Sequence, residues 1–145
     1  MSYSDRPLLC QVKPGEAAQI IHSDKYSLEE CFSSAQLTCQ EALELVLEER
    51  AQLWAVFWQG EIIAFMLSTV IQAGPDRIGV VNGFGGHNFK QGRRVYSAFG
   101  EWAKYQGCNK MRAYCRPGVR KLLVDISNAS VIGQEDGKEI LEMDL

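Results

Sequence analysis

Apolar residues run unbroken through Leu53-Trp54-Ala55-Val56-Phe57-Trp58 and return from Ile62 to Ile71, where only Ser68 and Thr69 interrupt them. Segments apolar on both faces belong in the middle of a sheet covered on two sides. Turn signals at Gly60-Glu61 and Gly74-Pro75-Asp76 divide the region. Strands are therefore expected at Leu53–Gln59, Glu61–Ala73 and Arg77–Gly86. The third carries Gly79 and Gly83 inside it and ends in Gly85-Gly86. Glycine within a strand marks a bulge, or the close approach of a ligand or another backbone.

Elsewhere the period changes. Val95, Ala98, Phe99, Trp102 and Ala103 form one stripe of a helix from about Gln91 to Gln106, and Gly107 suits the left-handed position after its end. Lys110–Arg116 alternates Met111, Ala113 and Cys115 against polar positions, as a half-buried strand does. Pro117 suits the first turn of a short helix, Pro117–Ile126. Ser130–Gln134, a turn at Glu135-Asp136-Gly137 and Lys138–Leu145 read as a closing hairpin.

Upstream, Leu8–Val12 reads as a first strand, and Pro14 or Glu16 opens a helix to about Ile21. Ser27-Leu28-Glu29-Glu30 and Thr38-Cys39-Gln40-Glu41 both have the capping-box form that opens a helix. The second box precedes an apolar face of Ala42, Leu43, Val46 and Leu47, reaching to about Ala51. Glu41, Glu44, Glu48 and Glu49 fall on the wet side and read as solvated surface.

A chain of 145 residues, 46% hydrophobic and 23% charged, is expected to form a single domain, 1–145. No apolar run reaches the roughly 18 residues of a membrane span. Met1-Ser2-Tyr3-Ser4-Asp5-Arg6-Pro7 lacks signal-peptide character, so a cytoplasmic setting is expected, native or in a host. Five cysteines without a Cys-x-x-Cys pattern argue for reduced thiols, with Cys31, Cys39 and Cys115 buried. His22 and His87, far apart, give metal chemistry little to work with, so no metal site is expected.

The net charge of -3 hides an asymmetry. Residues 87–121 hold nine of the 15 Lys/Arg and only Glu101 of the 18 Asp/Glu. The glycine-rich strand end runs into His87-Asn88-Phe89-Lys90-Gln91-Gly92-Arg93-Arg94 and then the helix. Bare backbone and positive charge at a helix N-terminus make an anion cradle. Its candidate residues are Gly86, Lys90, Gly92, Arg93 and Arg94. The alternative is a solvated basic face.

The order helices, three strands, helix, strand, helix, two strands resembles the GNAT acyltransferase fold. The resemblance lies in Leu53–Leu123, in "LWAVFWQGEIIAFMLSTVIQ", "VVNGFGG" and "EWAKYQGCNKMRAYCRPGVRKLL", and in the closing hairpin. It implies an α/β (α+β) architecture: a mixed, mostly antiparallel sheet of six to seven strands with helices on both faces. "EWAKYQGC" followed by "RPGVRKLL" is similar to small GNAT-like proteins encoded by tailed bacteriophages, some of them linked to assembly of the particle's internal core. The family implies an acyl-CoA in a V beside the central strand, its pyrophosphate held by an Arg/Gln-x-x-Gly-x-Gly/Ala loop. Here Phe89-Lys90-Gln91-Gly92-Arg93-Arg94 has one glycine and departs from that motif. Many members use a strand glutamate and a helix tyrosine as base and acid. Ile62–Gly86 offers only Asp76, in a turn, and Pro117–Ile126 has no tyrosine. Tyr96 and Tyr114 do not match the motif position; His87, at the strand's exit, is a candidate base but reads more simply as a polar loop histidine, so no catalytic residue is assigned.

The first expectation is accordingly a catalytically degenerate GNAT-fold protein acting in phage structure or assembly, in the host cytoplasm or the virion, docking on other phage proteins or itself. The alternative is an N-acyltransferase using acetyl-CoA or another acyl-CoA on an unknown amine. A second alternative is a nucleic-acid-binding accessory protein using the basic 87–121 segment.

Overall fold

The computed structural model describes residues 7–23, 25–86, 92–115 and 129–145. In chain order the elements are β1 (Leu8–Gln11), α1 (Pro14–Ser23), α2 (Lys25–Ser34), α3 (Cys39–Leu47), β2 (Gln52–Trp58), β3 (Glu61–Ala73), β4 (Asp76–Gly86), α4 (Gly92–Tyr105), β5 (Lys110–Cys115), β6 (Ser130–Glu135) and β7 (Lys138–Asp144). The strands make one mixed seven-stranded sheet in the order β1-β2-β3-β4-β5-β7-β6. The expected α+β architecture is present, with four helices among the described residues. The expected helix Pro117–Ile126 lies outside the described residues, as does Arg116, the expected last residue of the Lys110–Arg116 strand. By contact the chain divides into two compact units: Met1–Thr69 with Asn82–Gln91, and Val70–Val81 with Gly92–Leu145.

In the first unit, β2 pairs with β3 antiparallel, setting Leu53 opposite Leu67 and Ala55 opposite Phe65. These four side chains form a core with Leu28, Cys31 and Phe32 of α2 and Ala42 and Val46 of α3. Burying a large apolar side chain contributes about 1.5–3 kcal/mol, so Phe32 and Phe65, both fully buried, are principal anchors. The alternate residues Trp54, Val56, Ala64 and Met66 are buried too, which explains the unbroken apolar runs. Ser68 is the buried polar exception. It accepts a hydrogen bond from Trp54 Nε1 at 2.8 Å and donates to Gln52 Oε1 at 2.9 Å.

Local chemistry fixes the ends of these elements. The Thr38 capping box is complete: Thr38 Oγ1 accepts from Glu41 N and Glu41 Oε1 accepts from Thr38 N, both at 3.1 Å. α2 begins at Lys25, two residues before the start that the Ser27 box predicts. α3 stops at Leu47 instead of reaching Ala51, because Glu49 turns left-handed at φ 58. Leu47, expected on the inner face, is 51% exposed. Gln59 and Gly60, at φ 54 and 81, make the two-residue hairpin turn, and Glu61 already belongs to β3.

In the second unit, β5 pairs in parallel with β4 and antiparallel with β7. A parallel pair needs a crossover, and here the chain makes it through α4. Val95, Phe99 and Ala103 of α4 are buried, as are Met111, Ala113 and Leu141 on the strands. Phe99 also stacks on Trp102, with ring centroids 5.6 Å apart. Gly79 lets α4 approach closely: a Cβ there would lie 2.8 Å from Ala103 Cβ. Gly107 takes the left-handed position after the helix at φ 86, and Cys108 N donates back to Ala103 O at 2.9 Å. The terminal hairpin turns on Asp136 and Gly137, at φ 50 and 79.

Candidate functional site

Two segments are candidates, each taken by itself: the tail of β4 in the first unit and the start of α4 in the second. The β4–β5 register runs from Ile78↔Lys110 to Val81↔Ala113, while β4 itself continues to Gly86. The residues of that tail are engaged within the first unit. A Cβ on Gly83 would meet the Cys31 carbonyl oxygen at the C-terminal end of α2, and would lie 2.9 Å from Ala35 Cβ. Beside it Ser34 Oγ accepts the Phe84 N–H at 2.9 Å and donates to the Cys31 carbonyl at 2.8 Å. One residue earlier, Asn82 receives the Thr69 hydroxyl on its Oδ1 at 2.9 Å. Thr69 shares its strand parity with Phe65 and Leu67, which pack on α2.

Gly86 is set by its neighbour. Its φ is +152, and a Cβ would run into Ala64 and the Ile63 carbonyl of β3. The absence of a side chain here is thus required by packing, as at Gly83. Gly92 opens α4, with Arg93 in its first turn and Arg94 exposed after it. The side chain of Arg93 lies outside the described residues, as do His87 and Lys90. An N-terminal helical turn with two arginines and no acid favours an anion through the helix dipole.

Part of the expected basic surface is neutralised. Lys110 Nζ lies 3.1 Å from Asp76 and 3.5 Å from Glu142, and Arg112 Nη2 lies 2.8 Å from Glu142. β5 places these cations beside acids from β4 and β7, which a count over residues 87–121 does not include. Asp76, the one acid of Ile62–Gly86, is thereby committed. Hydrogen bonds from Asn109 and then Lys110 hold its carboxyl below the usual carboxylate range. Tyr96 is buried at 7% exposure on α4, and Tyr114 is half-buried on β5.

Two of the buried thiols are unsuited to nucleophilic work. Burial pushes Cys31 up, and pushes Cys115 up to about 12, so neither forms a thiolate near neutrality. Cys31 and Cys115 are buried as expected, whereas Cys39, expected buried, is half-buried. No cluster of metal-ligating side chains occurs among the described residues. No described helix is long and apolar enough to cross a membrane.

Ser34, Thr69 and Asn82 were not among the sequence candidates. The available signal was a polar residue breaking an apolar strand, visible at Ser68-Thr69 and at Asn82; nothing local marked Ser34.

No protein-family model matches the chain, and no curated protein matches it by sequence. Solved structures do match over nearly its whole length. An acetyltransferase of the GNAT family from Streptococcus pneumoniae is 19% identical with a TM-score of 0.66, covering 97% of this chain and 100% of that one. The PaiA N-acetyltransferase from Thermoplasma acidophilum in complex with coenzyme A is 12% identical with a TM-score of 0.61, and both chains are covered completely at 100%. AAC(6')-Ib in complex with paromomycin and acetyl-CoA is 15% identical with a TM-score of 0.67, covering 97% and 94%. The chain has the GNAT acetyltransferase fold.

Proposed function

We propose that this protein is an acyl-CoA-dependent N-acyltransferase acting on an amine. The observation that carries this reading is β4: it outruns its register with β5 at Val81↔Ala113 and ends in Gly86, and α4 then opens at Gly92 with Arg93 and Arg94. Matched structures of the same fold hold coenzyme A or acetyl-CoA, which supports placing the same class of ligand here. In this reading Lys90, Gly92, Arg93 and Arg94 serve the pyrophosphate, the arginines by charge-assisted hydrogen bonds. The chain is read as a single domain.

The chemistry asks little of a side-chain base. A water that takes the ammonium proton, attack of the freed amine on the thioester carbon, and departure of coenzyme A as the thiolate complete the exchange without a strand carboxylate. The absence of a matching acid and base therefore does not exclude turnover. The matched structures give no support to a phage origin or a virion role. Ion pairing of Lys110 and Arg112 also weakens the nucleic-acid reading.

Calorimetry of the full chain with acetyl-CoA and with coenzyme A tests the proposal. Micromolar binding that Arg93→Glu together with Arg94→Glu abolishes is the expected result. No binding at millimolar ligand would overturn it. Release of coenzyme A over a panel of small amines and peptide N-termini then identifies the acceptor.

A further inference from the structure

The outermost strands of the sheet are β1 and β6. An outermost strand presents a row of backbone N–H and C=O groups to which another chain can add. β1 limits that risk by its length of four residues. β6 has six, all but Gly133 exposed, and its apolar pair Val131 and Ile132 are 37% and 48% exposed. It contains neither lysine nor proline, and its one charge, Glu135, sits at its end. What it has is a bulge. Its register with β7 passes from Val131↔Leu141 to Gly133↔Ile140, which makes Ile132 the extra residue. β7 does not impose this, because it pairs with β5 over six residues without a shift. Packing does not require it either. Ile132 is not seated in a core, and a Cβ on Gly133 would stand at ordinary contact, 3.8 Å from Ile140 Cδ1.

We propose that the Ile132 bulge guards this edge: it keeps a second copy of the chain from adding to β6. This is independent of the acyltransferase reading. A bulge breaks the even spacing of the outward N–H and C=O groups and adds local twist, so a second strand cannot close a continuous ladder on it. Without Ile132 the strand would be regular, because Val131 and Gly133 already stand opposite the consecutive residues Leu141 and Ile140. Charge would not then prevent self-pairing. In an antiparallel pairing about Gly133, Glu135 of one copy falls opposite Ser130 of the second, and Val131 opposite Gln134, so no like charges face each other.

The test compares the full chain with a variant lacking Ile132, by sedimentation and by amide hydrogen exchange over about a hundredfold range of concentration. In the wild-type chain the β6 amides are expected to gain no protection as concentration rises. In the deletion variant they should gain it, while the mass climbs to about twice that of the wild type. Val131→Lys and Gln134→Lys, placed at positions that face each other in the pairing above, should return the deletion variant to the wild-type mass. A folded deletion variant with the wild-type mass throughout overturns the proposal, as do wild-type β6 amides that gain protection with concentration. Association that spares the β6 amides, or that survives both lysine substitutions, also overturns it, because another surface then carries it. If the deletion variant fails to fold by circular dichroism, the same deletion with Gly133→Thr, a better strand former, is read in its place. Failure of both to fold overturns the proposal, since the bulge then serves the fold itself.

Discussion

Ser34 and Phe84, fifty positions apart, are joined through one hydroxyl: Ser34 Oγ accepts the Phe84 N–H at 2.9 Å. The same oxygen donates to the Cys31 carbonyl at 2.8 Å, so the last turn of α2 is tied to the tail of β4. Ser34→Ala leaves a partly buried N–H without this acceptor. The expected cost is about 1–2 kcal/mol, read as a lower urea midpoint at unchanged slope.

Gly83 shows the same docking from the other side. Gly83→Ala must push a methyl into the Cys31 carbonyl and Ala35, and overpacking of this kind costs about 1–3 kcal/mol. Gly15, in the first turn of α1, meets nothing within 4 Å. Gly15→Ala should be neutral or stabilising by up to about 1 kcal/mol. The thermal midpoint of Gly83→Ala should therefore fall while that of Gly15→Ala holds or rises.

The α3 cap is open to a direct measurement. Thr38→Ala removes the acceptor for Glu41 N and should lower stability by about 1 kcal/mol. Thr38→Ser keeps the oxygen and should recover most of that loss.

The Asp76–Lys110 pair predicts a pH window. Asp76 titrates below its ordinary range, through hydrogen bonds from Asn109 and then Lys110. Its stabilisation is therefore present above the unfolded carboxylate pKa and fades as pH falls through the folded value. Lys110 titrates above its ordinary range, chiefly through its hydrogen bond to Asp76. Its share is present below the unfolded ammonium pKa and fades as pH rises through the folded value. Asp76→Asn should flatten both limbs of the stability profile and change little in high salt, since exposed pairs are screened.

Thiol labelling should separate the cysteines. Cys10 is exposed, Cys39 half-buried, and Cys31, Cys108 and Cys115 buried. A disulfide reagent on native protein should modify Cys10 rapidly and Cys39 more slowly. The other three should react only at the rate of opening or unfolding.

The sequence by itself determined the elements whose signals are local. The β2–β3 hairpin, the Thr38 box, the α4 stripe and the closing hairpin depend on period, turn residues and caps within a few positions, and all four stand in the structure. What only the tertiary structure decided were the partners. Lys110 and Arg112 looked like free positive charge until strand pairing set Asp76 and Glu142 beside them. Gly83 and Gly86 looked like backbone left bare for a ligand, but α2 and β3 occupy the space that their side chains would need. Asn82 gained its hydrogen-bond partner, Thr69, across the strand pair. Periodicity records which face a residue takes along its own element. Which atoms meet it there depends on register and packing between segments far apart in the chain, and no local pattern carries that information.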